Sequence, residues 1–306
     1  MKIQIVTVKP FSKVAVDQIK NIAKENGYEI GVLEKYTDVA QFYEAVADAD
    51  ALIVRSDKVT KEVIEAAPKL KIVVRAGAGF DNLDLDACTA HKIVAMNTPG
   101  QNSNAVAELA LGFMIYMSRN QFTPGTGSEL NNKTLGIQAY GNVGRRVANH
   151  AKSFGMNIIA FDPFIPKEKI EADGVKAVTT LEELYSKSDF LSIHIPATPQ
   201  TIKSIGYDLF TKMPKGACFL NTARKEVINE EGLMKALSER EDLKFIADIA
   251  PDNIAELRKK FGTRVFATSK KMGAQTTEAN VNAGLAAANQ ICKFFKEGIT
   301  RFQLNK

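Results

Sequence analysis

The segment Lys133–Gly155, KTLGIQAYGNVGRRVANHAKSFG, reads as a strand, a glycine-containing turn and an amphipathic helix. Ala139, Gly141, Asn142, Val143 and Gly144 fall where a G-x-G-x-x-G fingerprint would stand, with alanine in place of the first glycine. Such a turn binds a pyrophosphate for physical reasons. Gly141 lets the main chain approach the phosphates, Gly144 lets the helix pack close to the strand, and the unbonded N–H groups that begin the helix face the anion. Alanine is the mildest replacement for the first glycine, provided the backbone there takes an angle alanine can adopt. Asp162 ends the next strand-like run, about 20 residues further on. A carboxylate at that place accepts hydrogen bonds from ribose hydroxyls and repels a 2′-phosphate, which points to NAD rather than NADP. The alternative is a tight strand–helix connection with Asp162 a solvated loop acid.

Elements of one kind recur on both sides of this motif. Apolar, β-branched runs at Ile3–Val8, Ile30–Leu33, Ala51–Val54, Ile72–Arg75 and Ile93–Met96 alternate with helix-like stretches such as Val14–Glu25 and Lys61–Ala67. A second series runs through Leu135–Gln138, Ile158–Phe161, Phe190–Ile193, Cys218–Leu220, Phe245–Ala247 and Val265–Ala267. Alternating β and α elements predict an α/β protein of two doubly wound parallel sheets covered by helices on both faces. Asn97–Ser103, NTPGQNS, separates the two series and leads into an apolar helix over Ala105–Met117. The last helix-like segment, Glu278–Lys296, must bury its apolar face, and we expect it to cross back to the first domain.

The bulk properties fit this division. A chain of 306 residues is long enough for two domains with separate cores. The net charge of +5 comes from dispersed lysines, which suits small anionic ligands and lacks the basic stripe expected of a nucleic-acid binder. The first residues, MKIQIVTV, read as a buried strand and not a signal peptide. No apolar run approaches the roughly 18 residues of a membrane span. Cys88, Cys218 and Cys292 are widely spaced in apolar surroundings, so buried reduced thiols are expected, with no disulfide or metal site. The chain is expected in the cytoplasm.

Several segments together carry a family resemblance. Val74–Asn82 (VRAGAGFDN), Asn97–Glu108 (NTPGQNSNAVAE), the glycine turn, His194–Pro199 (HIPATP), Asn221–Arg224 (NTAR) and Lys271–Ala274 (KMGA) occur in this order. The set resembles the D-isomer-specific 2-hydroxyacid dehydrogenases, most closely those acting on 3-phosphoglycerate, and it covers nearly the whole chain. The resemblance implies a flavodoxin-like substrate domain of residues 1–99 and 281–306, a Rossmann NAD domain of residues 100–280, and a cleft between them. It also implies homodimers formed through the NAD domains. By position, Arg224 is expected to hold the substrate carboxylate and polarise the 2-oxygen, a task suited to a permanently charged fork of donors. Ala78 and Gly79 would offer N–H groups to the same carboxylate, and Arg55 and Lys58 would face the phosphate end. Thr222 and Ala223 would line the nicotinamide, with Gly273 nearby and Asp248 accepting from the carboxamide. His194 and Pro196 would flank the adenosine side. Arg55 and Lys58 could equally be solvated loop charges, and Arg224 a surface salt-bridge partner.

The chain departs from the family pattern at two linked places. Where these enzymes place a histidine that moves the hydroxyl proton, Ser269–Ala274 (SKKMGA) puts Lys271. Where they place a glutamate paired with that histidine, Asp248–Asn253 (DIAPDN) puts Asn253, with Asp252 beside it. None of His91, His150 or His194 stands in register to substitute. A histidine base needs an acid to hold its tautomer. A lysine, with an ordinary pKa of about 10.4, needs burial and nearby cations instead, and a paired carboxylate would work against it. The two losses together suit Lys271 as general acid/base; the alternatives are a purely electrostatic lysine or a chain without catalysis. The expected reaction is oxidation of 3-phosphoglycerate to 3-phosphohydroxypyruvate with NAD. Its rivals are another 2-hydroxy or 2-oxo acid, such as glyoxylate or 2-hydroxyglutarate, and an NAD-sensing binding protein resembling the corepressors of this family. Longer relatives append a serine-sensing domain, which is not expected within these residues.

Overall fold

The computed structural model describes residues 1–305. It divides into two compact units, residues 1–102 with 275–305, and residues 103–274. The first begins with β1 (Lys2–Thr7), α1 (Lys13–Glu25), β2 (Glu29–Glu34), α2 (Val39–Val46) and β3 (Ala51–Val54). It continues with α3 (Lys61–Glu65), β4 (Ile72–Arg75), α4 (Leu85–Ala90) and β5 (Val94–Asn97). The second contains α5 (Ser103–Ser118), β6 (Thr134–Gln138), α6 (Asn142–Lys152), β7 (Asn157–Phe161), α7 (Lys167–Ala172), β8 (Lys176–Ala177), α8 (Leu181–Ser186) and β9 (Phe190–Ile193). Then follow α9 (Tyr207–Lys212), β10 (Cys218–Asn221), α10 (Glu230–Glu239), β11 (Lys244–Ala247), α11 (Ile254–Phe261) and β12 (Val265–Ala267). The final helix, α12 (Thr277–Glu297), belongs to the first unit.

Both sheets are wholly parallel, as the alternation of elements predicts. The first has the order β2-β1-β3-β4-β5, and the second β12-β11-β10-β9-β6-β7-β8. Side chains alternate between faces along a strand, and the buried residues sort accordingly. Ile3, Ile5, Ile53, Ile72 and Val74 pack with α1 and with Ala283, Ala287 and Ile291 of α12. Val6, Leu52, Val54 and Val73 pack on the other face with Phe42, Val63, Ile64 and Cys88. In the second unit Leu191, Ile193, Phe219 and Phe245 face one core, and Leu135, Ile137, Leu220 and Ile246 the other. The small residues of α12 let it lie close to α1. Thr276 starts it by accepting the Ala279 N–H at 3.1 Å, and Gly298 ends it in the left-handed region.

Two elements escape the periodic pattern. The strand β8 is a two-residue edge, too short to alternate. The helix α2 is set by a capping box in which Asp38 and Gln41 bond each other's backbone, a local signal independent of its apolar face. Cys88, Cys218 and Cys292 are buried free thiols. Burial pushes Cys88 up to about 11 and Cys218 to about 12, so neither is a reactive thiolate near neutral pH. Among the described residues no helix is long and apolar enough to cross a membrane.

Candidate active site

In a doubly wound sheet, ligands bind beyond the carboxyl ends of the strands, near the point where strand order reverses. In the second unit that reversal lies between β6 and β9. Every candidate residue of this unit follows a strand end. Ala139–Gly144 follow β6, Asp162 follows β7, His194 and Pro196 follow β9, and Thr222–Arg224 follow β10. Asp248 follows β11, and Lys271 and Gly273 lie in the loop after β12.

The glycine turn fits a dinucleotide. A Cβ on Gly144 would come within 2.3 Å of the Ala139 carbonyl and 3.0 Å of Ile137 Cγ2, so only glycine lets α6 sit this close to β6. A Cβ on Gly141 would meet nothing within 4 Å, and no side chain caps α6 there. Open space in front of uncapped helix N–H groups, with Asn142 and Val143 in the first turn, is what a pyrophosphate requires. The expectation for Ala139 needs correction. Its φ is +75°, a left-handed conformation that alanine adopts only at a cost. The turn keeps the geometry of the missing glycine and imposes it on an alanine. Asp162 Oδ2 accepts the Tyr140 N–H at 2.8 Å and Oδ1 the Phe164 N–H at 2.8 Å, which fixes the carboxylate at the end of β7 beside the turn.

The β10 end is braced by Asn221, a residue the motif NTAR contains but to which sequence reasoning assigned no role. Its Oδ1 accepts the Ala223 N–H at 2.9 Å and its Nδ2 donates to the Arg224 carbonyl at 2.8 Å. The loop is thereby folded back on the strand, with Thr222 and Ala223 buried and Arg224 partly exposed. Arg224 donates through Nη1 to the Ala223 carbonyl at 2.9 Å and has no carboxylate partner among the described residues. A partly buried guanidinium without a protein anion is suited to a ligand's.

His194 is neutral. Burial pushes its imidazole down to about 3, and both ring nitrogens lie near hydroxyls, Ser192 Oγ at 3.1 Å and Thr222 Oγ1 at 3.3 Å. It lies just past the end of β9, against the Thr222 hydroxyl that follows β10, as an uncharged imidazole. Pro196 is exposed, and its carbonyl accepts the Thr201 hydroxyl at 2.6 Å. Beneath them Gln138 accepts the buried Tyr185 hydroxyl at 2.9 Å, a polar pair that sequence patterning does not reveal.

Asp248 is tied into its own chain. Its side chain is fully buried, and its oxygens accept the N–H groups of Met272 at 2.7 Å and Gly273 at 2.8 Å, with Thr268 Oγ1 at 3.3 Å from Oδ1. A Cβ on Gly273 would stand 2.9 Å from Oδ2, so glycine permits this approach. The carboxylate expected to receive a cofactor amide therefore clamps the loop that carries Lys271. Lys270 is exposed and Lys271 partly buried. Both lie beyond the end of β12 at Ala267, so the alternation of strand side chains does not separate them. Asn253, at the missing glutamate's offset, receives no help from its neighbour. Asp252 is ion-paired with Lys225, and Glu230 accepts the N–H groups of Asp252 at 2.8 Å and Asn253 at 3.3 Å.

In the first unit the remaining candidates follow β3 and β4. Arg55 uses Nη1 on the carbonyls of Lys9 at 2.8 Å and Pro10 at 2.7 Å, donates through Nη2 to Asn280, and lies 5.1 Å from the Phe11 ring centre. Burial pushes its pKa down, opposed by the charges of Asp57 and Glu34. Most of its fork thus braces the unit. Lys58 is exposed. Ala78 and Gly79 form the turn after β4, their N–H groups unbonded among the described residues.

Comparison with known proteins agrees with this geometry. Residues 112–261 match the family model described as D-isomer specific 2-hydroxyacid dehydrogenase, NAD binding domain. The crystal structure of an NAD+-bound 3-phosphoglycerate dehydrogenase of Entamoeba histolytica is similar at 49% identity and a TM-score of 0.88, covering 100% of this chain and 99% of that one. A D-3-phosphoglycerate dehydrogenase of Methanocaldococcus jannaschii is 38% identical over 284 residues, 88% of this chain and 54% of that protein. A hydroxypyruvate reductase of Thermotoga maritima is 33% identical, over 88% of this chain and 92% of that protein. The chain spans about half the length of the curated phosphoglycerate dehydrogenases it matches. From the glycine turn, the strand-end residues and these likenesses together, the chain belongs to the D-isomer specific 2-hydroxyacid dehydrogenase family.

Proposed function

We propose that the protein oxidises D-3-phosphoglycerate to 3-phosphohydroxypyruvate with NAD+, a reaction that leads into serine synthesis. Arg224, a guanidinium at the end of β10 without a carboxylate partner among the described residues, is the observation that carries this reading. Bound at the glycine turn, NAD+ supplies the hydride acceptor for C2. Arg224 holds the substrate carboxylate and polarises the 2-oxygen. The N–H groups of Ala78 and Gly79 donate to the same carboxylate. Lys271 takes the hydroxyl proton through a neutral Nζ and returns it in the reverse direction. Lys58, and the donors of Arg55 left over from its bracing role, serve the phosphate end. Asp162 binds the adenosine ribose, while Thr222, Ala223 and Gly273 line the nicotinamide. His194 and Pro196 flank the adenosine side as neutral packing. We assign residues 1–99 and 281–306 to substrate binding and 100–280 to the cofactor, in a cytoplasmic homodimer joined through its NAD domains.

The Thermotoga likeness, which spans nearly the whole of that protein, favours hydroxypyruvate reduction as a second reading. NADH absorbance followed with 3-phosphoglycerate, hydroxypyruvate, glyoxylate, D-lactate and D-2-hydroxyglutarate separates the two. A kcat/KM highest for 3-phosphoglycerate supports the first reading; one highest for hydroxypyruvate replaces it with the second.

A further inference from the structure

Three consecutive peptide planes after β4 are held by donors at the ends of β4 and β5. The Gly77 carbonyl accepts the Thr98 N–H at 2.9 Å. The Ala78 carbonyl accepts Asn97 Nδ2 at 2.6 Å, and the Gly79 carbonyl accepts Arg75 Nη1 at 3.1 Å. In a planar trans peptide the C=O and the following N–H point in opposite directions. Fixing these carbonyls therefore aims the N–H groups of Ala78, Gly79 and Phe80 away from the strands, and none of the three donates to an acceptor among the described residues. A run of outward main-chain donors suits an oxyanion.

The holding side chains are built for the task. Asn97 is only 7% exposed and stands opposite Arg75 in the register of β4 and β5. Arg75 also donates through Nε to the Arg55 carbonyl at 2.9 Å, which ties the turn to β3. Its guanidinium lies so close to the turn that a Cβ on Gly77 would come within 2.4 Å of Nη1 and 2.6 Å of Cζ.

We propose that Asn97 is a positioning residue for substrate. Its amide sets the peptide plane that presents the Gly79 N–H, as Arg75 does for Phe80, and together they make a three-donor seat for the substrate carboxylate. This rests on the functional reading above. Asn97 acts by denying the Ala78–Gly79 peptide any other orientation. A carboxylate in its place would face the Ala78 carbonyl with oxygen against oxygen and turn the peptide.

The test is Asn97→Asp, with Gly77→Ala as a second route to the same turn through Arg75. Loss of one hydrogen bond to a charged group corresponds to roughly 10- to 100-fold in affinity. Asn97→Asp should raise KM for 3-phosphoglycerate by about that factor, leave KM for NAD+ within about twofold, and change kcat less than KM. Gly77→Ala should show the same split with a smaller rise. Unchanged substrate KM in both variants overturns the proposal, as does an equal loss of substrate and NAD+ affinity. Oxalate titrated calorimetrically in the presence of NADH separates this inference from the functional reading. If the unmodified protein binds oxalate but oxidises no 2-hydroxy acid, the functional reading fails. The seat is then judged by whether Asn97→Asp abolishes oxalate binding.

Discussion

At the scale of single residues, the choice of Lys271 as proton carrier has the sharpest consequences. A lysine must be neutral to accept a proton, so oxidation should keep rising into alkaline pH beyond the range where a histidine-dependent relative levels off. Reduction should favour lower pH, where the ammonium donates. Lys271→Met should lower kcat by roughly 10²–10⁴-fold with NAD+ binding retained, whereas Lys270→Met, at an exposed site, should change it little. Steady-state rates across pH check both; an essential Lys270 beside a dispensable Lys271 would shift the assignment by one residue. Arg224→Lys keeps the charge but loses the fork, and should cost about tenfold or more in kcat/KM. His194 makes a prediction about stability instead of rate. Its folded pKa of about 3 lies below the unfolded value near 6.5, so the unfolded chain binds the extra proton between those values. Stability should fall as pH drops from about 6.5 towards 3, with no further contribution below that. His194→Asn should flatten this part of a urea-midpoint profile.

At the scale of elements, the strand ends were legible because a parallel sheet must place its connecting loops where the sequence places glycine, proline and polar residues. Runs such as Ala51–Val54 and Phe190–Ile193 were readable to the residue, since every position of these central strands is buried and carries no charge. What stayed hidden was what the loops do with their own backbone. Asn221, Asn97 and Asp248 all spend side-chain atoms on main-chain groups nearby in space, and no spacing in the sequence encodes that. Asp248 shows the effect most plainly. The family position implied a cofactor contact, while the buried carboxylate holds Met272 and Gly273. Asp248→Ala should therefore free the loop bearing Lys271, lowering both kcat and the melting temperature. A melting temperature unchanged from the parent would argue that the clamp carries no weight. Ala139 is the other lesson of this scale. Its letter alone reads as a mild substitution, yet φ of +75° makes it a strained one. Ala139→Gly should raise stability by about 1 kcal/mol, read as a higher urea midpoint at unchanged slope.

At the scale of the whole molecule, the two sheets and the return of the last helix follow from one requirement, that every apolar face find a partner. The small residues of α12 meet α1 and leave the first unit discontinuous in sequence. The proposed reaction asks both units to contribute, the second with Arg224, Lys271 and the cofactor turn, the first with the carboxylate seat. Its central claim is the transfer of hydrogen from C2 of 3-phosphoglycerate to NAD+, and isotopic labelling tests it directly. The protein should convert 3-phosphoglycerate deuterated at C2, with unlabelled NAD+, into NADH carrying one deuterium per turnover, seen by mass spectrometry alongside 3-phosphohydroxypyruvate. Absence of turnover with folded, NAD+-binding protein, or NADH formed without the label, would contradict the account.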